Sequence, residues 1–85
     1  MPEVEIYTQP WCAYCARALR LLQAKGVQYR EIHAPQGTPE REEGRRRSGG
    51  RTTVPQIFIN GRSLGGSDEL GALEQAGELD SMLRY

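Results

Sequence analysis

Cysteine and histidine are scarce in this chain: its 85 residues include two cysteines and one histidine. That is too few for a tetrahedral structural zinc site, which wants four ligands. An excess of either charge is missing too. Eleven basic residues balance eleven acidic ones, so no global field points to nucleic acid or an anionic membrane. No apolar run approaches the roughly 20 residues of a membrane span. The opening Met1-Pro2-Glu3-Val4-Glu5 has neither the basic n-region nor the apolar h-region of a signal peptide. Two cysteines without export signals suggest a reducing compartment, so the expected address is the cytoplasm. With 38% hydrophobic and 26% charged residues, the chain reads as one globular domain over residues 1–85 with a modest core.

What is present is Cys12 and Cys15, in Trp11-Cys12-Ala13-Tyr14-Cys15-Ala16. A strand-like run, Val4-Glu5-Ile6-Tyr7, precedes the pair and a helix-like run, Ala16-Arg17-Ala18-Leu19-Arg20-Leu21-Leu22, follows it. Thiols at such a junction lie at the positive end of a helix dipole, which stabilises a thiolate. A Cys-x-x-Cys near a βαβ pattern reads as a redox motif. A disulfide staple across two residues would close almost no loop entropy. Metal delivery or cluster binding is the remaining alternative. Cys12, before the helix, is the candidate nucleophile. Cys15, one turn in and on the apolar stripe with Ala18, Leu19 and Leu22, is the candidate resolving thiol.

The periodicity predicts a first strand over Val4 to Thr8 and a second over Val27 to Ile32, with the helix between them ending at Lys25-Gly26. A helix between two strands implies a right-handed parallel βαβ unit. Thr38-Pro39-Glu40 opens a second helix, about Pro39 to Arg47, which Gly44 interrupts and few apolar residues anchor. Asn60-Gly61 between Gln56-Ile57-Phe58-Ile59 and Arg62-Ser63-Leu64 signals a hairpin. A third helix starts near Ser67-Asp68-Glu69, and Gly77 breaks it before a last turn carrying Leu79, Met82 and Leu83. The expected order is β-α-β-α-β-β-α around a mixed four-stranded sheet, an α/β fold of the thioredoxin-like type.

Two further segments bear on chemistry. Pro55, in Thr52-Thr53-Val54-Pro55, reads alone as an ordinary strand-start proline. Beside the cysteine pair another reading takes precedence: a cis bond would turn the Val54 backbone outward to pair with an extended peptide. Gly65-Gly66-Ser67-Asp68 has the makings of an anion site from helix N–H groups, although a capped helix needs the same residues.

Taken together, Val4-Glu5-Ile6-Tyr7-Thr8, Cys12-Ala13-Tyr14-Cys15, Arg51-Thr52-Thr53-Val54-Pro55-Gln56-Ile57-Phe58-Ile59 and Gly65-Gly66-Ser67-Asp68 resemble the small bacterial dithiol glutaredoxins along essentially the whole chain. The resemblance implies glutathione-dependent reduction of glutathione mixed disulfides and protein disulfides by a monomer. Glutathione is then the co-substrate, renewed indirectly by glutathione reductase. It also implies a cis bond before Pro55. Thr53 and Val54 would pair with the cysteinyl backbone of glutathione, Gly66, Ser67 and Asp68 would hold its γ-glutamyl end, and Tyr14 would flank the sulfur.

The chain departs from the family at two positions. Members usually carry Lys where this chain has Gln9, which keeps a donor but loses the charge that meets the glycine carboxylate. Arg41, Arg45 and Arg51 are the candidates to supply that charge. Ala13 replaces the usual proline, restoring a backbone N–H and loosening the loop. Family members with a small residue here sometimes hold a [2Fe–2S] cluster between two subunits through Cys12-type and glutathione thiolates, which this sequence permits. A thioredoxin-like donor reduced directly by a flavoprotein is a third class, one that would not need the Gly66-Ser67-Asp68 site. Arg45-Arg46-Arg47 adjoins Glu40, Glu42 and Glu43 and reads as a solvated helix face. His33 reads as an exposed loop residue and Trp11 as part of the active-site rim.

Overall fold

The computed structural model describes residues 2–84. Its elements are β1 (Val4–Thr8), α1 (Ala13–Ala24), β2 (Arg30–His33), α2 (Pro39–Arg47), β3 (Gln56–Ile59), β4 (Arg62–Gly65), α3 (Ser67–Gln75) and α4 (Leu79–Met82). One mixed sheet runs in the order β2-β1-β3-β4, with β1 parallel to β2, β1 antiparallel to β3, and β3 antiparallel to β4. This is the expected thioredoxin-like arrangement, with α4 as the last turn after Gly77.

Strand alternation sorts the core into two layers. Val4 and Ile6 of β1 and Ile57 and Ile59 of β3 meet Ala18 and Leu22 of α1, Leu70 of α3, and Leu79 and Leu83 at the C-terminal end. The intervening Tyr7 and Phe58 point the other way, pack edge to face, and form a smaller cluster with Ala34 and Ile32. β1 is buried along its whole length because it is central. That burial holds the β1–α1 junction, and the cysteines on it, in a fixed place.

β2 starts at Arg30, three residues later than expected. The parallel register sets Glu5 against Arg30, so residues 27 and 28 run past Val4, where β1 begins, and the ladder does not extend before Arg30. Val27 and Tyr29 still pack on the larger core. The hairpin is as expected, with Asn60 at φ 52 and Gly61 at φ 80 matching a primed turn.

α2 corrects two expectations. Gly44 does not interrupt it: the helix is continuous from Thr38, whose Oγ1 accepts from the Arg41 N–H, to Arg47. Gly44 is instead the point where α2 meets the sheet, and a Cβ there would stand 3.2 Å from Cδ2 of Tyr7. Nor is Arg45-Arg46-Arg47 wholly a solvated face. Arg47 turns inward over the Phe58 ring, 4.2 Å from its centroid, and donates to Glu5 Oε1 (2.8 Å) and the Tyr7 hydroxyl (2.7 Å). Tyr7 in turn donates to Glu43. A helix with almost no apolar residues is therefore anchored by a half-buried polar network.

Candidate active site

Cys12 is the N-cap of α1. Its Sγ accepts from the Cys15 backbone N–H at 3.1 Å, a contact that uses one of the helix's four unpaired first-turn donors. Cys12 is half-buried at the surface while Cys15 is 2% exposed, the asymmetry expected of a nucleophile and a resolving thiol. Their Cα atoms are 5.2 Å apart and the sulfurs are joined as a disulfide. The Val54–Pro55 bond is cis, and the Val54 carbonyl oxygen lies 4.0 Å from Cys12 Sγ.

Beside this pair is a cleft of about 340 Å³ lined by Tyr14, Arg51, Thr53, Val54, Pro55, Gly66, Ser67, Asp68 and Glu69. It brings together every candidate glutathione-binding residue except Gln9. Gln9 lies with Cys12 and Cys15 along a neighbouring groove. Ser67 and Asp68 do not cap α3 as expected; the N-cap is Gly66, and its N–H donates to Glu69 Oε1 at 2.6 Å. That bond, with Arg51 Nη2 at 3.3 Å, holds the Glu69 carboxyl below the usual range. Gly65 at φ 98 packs so close that a Cβ would stand 2.8 Å from Glu69 Cγ.

Three side chains not singled out by sequence shape this site. Arg17 Nε donates to Ser67 Oγ (3.1 Å) and its Nη2 to Asp68 Oδ1 (3.0 Å), while the guanidinium lies 5.5 Å from the Tyr14 ring centroid. Buried Gln56 donates from Nε2 to the Thr53 carbonyl (3.0 Å), fixing the segment before the cis bond. Its Oε1 is buried without a hydrogen-bond partner. Glu69 holds Gly66, as described. Outside this cleft, Glu31 lines the neighbouring groove and accepts from Thr8 Oγ1 at 2.7 Å. The only legible signal was Gln56, a polar residue in an otherwise apolar strand.

The three candidate cations are now distinguishable. Arg45 pairs with Glu42, and Arg51 with Glu69. Arg41 donates to Gln9 Oε1 (2.7 Å), the Ala34 carbonyl (2.9 Å) and the Thr52 carbonyl (3.0 Å). His33 ends β2 and is exposed, and Trp11 is fully exposed on the rim. Among the described residues no three His, Cys, Asp or Glu side chains stand together as a metal site. No helix among the described residues is long and apolar enough to cross a membrane.

A Cys-x-x-Cys disulfide on a strand-to-helix junction, against a cis-proline loop on a thioredoxin-like sheet, defines a thiol–disulfide oxidoreductase. The family model of glutaredoxin matches residues 4–64. The chain is 54% identical over 83 residues to a glutaredoxin of Pseudomonas aeruginosa, covering 98% of each. Among solved structures it is similar to a glutaredoxin from Brucella melitensis, with 55% identity, a TM-score of 0.80, and 95% of this chain and 87% of that one covered. It is also similar to a buckwheat glutaredoxin–glutathione complex, with 27% identity, a TM-score of 0.84, and 96% and 76% covered. The chain belongs to the glutaredoxin family.

Proposed function

We propose that this oxidoreductase works with glutathione, which occupies the cleft beside Cys12. The observation that carries the reading is the convergence of Tyr14, Val54 and Ser67-Asp68 on one cleft, with the Val54 carbonyl 4.0 Å from the Cys12 sulfur. The glutathione cysteinyl backbone pairs with Val54, its γ-glutamyl end meets Ser67 and Asp68, and Tyr14 flanks its sulfur. Arg41 meets its glycine carboxylate through the position that Gln9 helps define.

In the reaction, the Cys12 thiolate attacks the glutathione sulfur of a mixed disulfide and expels the other thiol. A second glutathione then attacks the Cys12 adduct and leaves as glutathione disulfide. With a protein disulfide, Cys15 resolves the adduct instead, and two glutathione molecules regenerate the dithiol. The chain acts as one domain and as a monomer in the cytoplasm. Glutathione reductase serves it indirectly, by reducing glutathione disulfide.

The test is glutathione-coupled turnover of a small glutathione mixed disulfide such as cysteinyl-glutathione. Saturable turnover that Cys12→Ser abolishes is expected. Turnover driven by a flavoprotein reductase and indifferent to glutathione would assign the protein to the thioredoxin-like donors. A brown protein from anaerobic purification, absorbing above 400 nm and needing glutathione to keep its colour, would instead indicate a shared [2Fe–2S] cluster.

A further inference from the structure

Cys12 borders a second groove, of about 520 Å³, that shares no lining residue with the glutathione cleft. The cleft is built from the β3 and α3 side of the sheet. The second groove is built from β1, β2 and α1, on the other flank of the β1–α1 junction. Both cysteines line it, as do the apolar surfaces of Trp11, Ala16 and Leu19. Trp11 has φ 59, a left-handed backbone that a bulky side chain seldom adopts, and its indole is 102% exposed beside the nucleophile. An aromatic held in water next to a reactive sulfur is suited to be covered by a partner.

Glu31 is the only charged side chain among the described lining residues. Its side chain is 35% exposed, is tethered by Thr8 Oγ1, and has His33 Nε2 3.9 Å from its carboxylate. Glutathione carries two carboxylates, so a fixed anion here disfavours it and favours a cationic partner.

We infer that this groove receives the polypeptide of a disulfide-bonded protein substrate, with Glu31 selecting a basic side chain next to the substrate's cysteine. The inference rests on the oxidoreductase reading above. The Cys12 thiolate attacks one sulfur of the substrate disulfide, forming the Cys12–substrate bond and expelling the other sulfur as a thiolate that takes a proton from water. The polypeptide then lies along Trp11 and Leu19. Cys15 loses its proton to solvent and attacks the Cys12 sulfur, which releases the second substrate thiolate and leaves the Cys12–Cys15 disulfide. Two glutathione molecules reduce that disulfide and depart as glutathione disulfide.

The test compares two disulfide-bridged peptides that differ only in Lys or Glu beside the cysteine. The unsubstituted protein should turn over the Lys peptide with about tenfold higher kcat/KM at low salt, and the preference should shrink as salt is added. Glu31→Gln should reduce the preference to below about threefold, and Glu31→Lys should invert it. Both variants should keep turnover of cysteinyl-glutathione. Equal rates on the two peptides, or a full preference surviving in Glu31→Gln, would overturn the assignment. Failure with cysteinyl-glutathione alongside intact peptide discrimination would sink the glutathione reading and leave the groove standing. As a second measurement, Cys15→Ser trapped as the peptide mixed disulfide should show a blue shift of Trp11 emission larger than the glutathione adduct shows. An unshifted emission would mean that the peptide does not lie along this groove.

Discussion

Arg41 and Gln9 are joined by a 2.7 Å hydrogen bond, and the same guanidinium holds the carbonyls of Ala34 and Thr52. A neutral amide in the loop leading to the nucleophile is thereby linked to a cation borne by α2. Gln9 spends its oxygen on Arg41, which leaves its amide N–H groups free to donate. On the reading proposed above, Arg41 supplies from another element the charge that the family usually places at this position.

Arg41→Gln should raise the apparent KM for glutathione by roughly tenfold, the equivalent of a partly exposed charged hydrogen bond. Gln9→Lys alone should bring little gain, because the new ammonium would face Arg41 and lose the bond that now ties the loop. In the Arg41→Gln background the same lysine should restore much of the loss. Steady-state kinetics of the four proteins decide it. Independent, additive effects would show that the two positions do not share one carboxylate.

Cys12 and Cys15 should differ in reactivity as they differ in burial. Alkylation of the reduced protein near neutral pH, followed by mass spectrometry, should label Cys12 first. Cys12→Ser should abolish all exchange, whereas Cys15→Ser should keep turnover of glutathione mixed disulfides and lose most reduction of protein disulfides. A Cys15→Ser protein inactive on both substrates would contradict the assigned roles.

Asp68→Ala should weaken glutathione binding by about tenfold or more, since on the proposed reading it removes a charged partner of the γ-glutamyl end. Reactivity of Cys12 with neutral iodoacetamide should hardly change. Because Glu69, not Asp68, takes the Gly66 N–H, the substitution leaves the start of α3 intact. Parallel losses in binding and alkylation would mean that Asp68 acts through the fold.

The sheet order and the cysteine junction were legible because each rests on local pattern: alternation in β1 and β3, Asn60-Gly61 in the hairpin, and a Cys-x-x-Cys between strand and helix. The start of β2 was not, because its first paired residue depends on how far the register with β1 extends. Gly44 and Arg47 were misread for a related reason. Helix propensity counts glycine as a breaker and triple arginine as solvent-facing, yet both residues answer to Tyr7, which is 37 positions from Gly44 in sequence and in contact with it in space. Arg17 and Glu31 carried no motif at all, and only their neighbours across the fold give them meaning.

Gly44 and Gly71 make a controlled pair of helical glycines. Replacing an interior helical glycine by alanine ordinarily stabilises by about 0.5–1 kcal/mol. At Gly71 in α3 nothing lies within 4 Å of the added Cβ, so Gly71→Ala should show that gain. At Gly44 the methyl meets a Tyr7 ring that Phe58, Glu43 and Arg47 hold in place. Overpacking of about 1–3 kcal/mol should outweigh the propensity gain, and Gly44→Ala should melt lower than the parent. A higher melting temperature for Gly44→Ala would show that α2 can shift away from the sheet.

Glu5 should set the acid limb of stability. It is 5% exposed, and hydrogen bonds from Arg47, opposed by burial and aided by Arg30, hold its carboxyl below the usual glutamate range. A folded-state pKa below the unfolded one means that the native state favours the ionised form. The stabilisation is therefore complete above the unfolded value and drains away as pH falls below about 4 and through the depressed folded value. Glu5→Gln should cost about 1.5–3 kcal/mol near pH 7, where the charged hydrogen bonds are present. As pH falls through the depressed folded value, where the native carboxylate is itself being protonated, the gap between variant and parent should narrow. Urea unfolding at pH 7 and at a series of acid pH values measures the gap. A gap that stays constant with pH would assign the loss to packing around the side chain and leave α2 docking independent of the Glu5 charge.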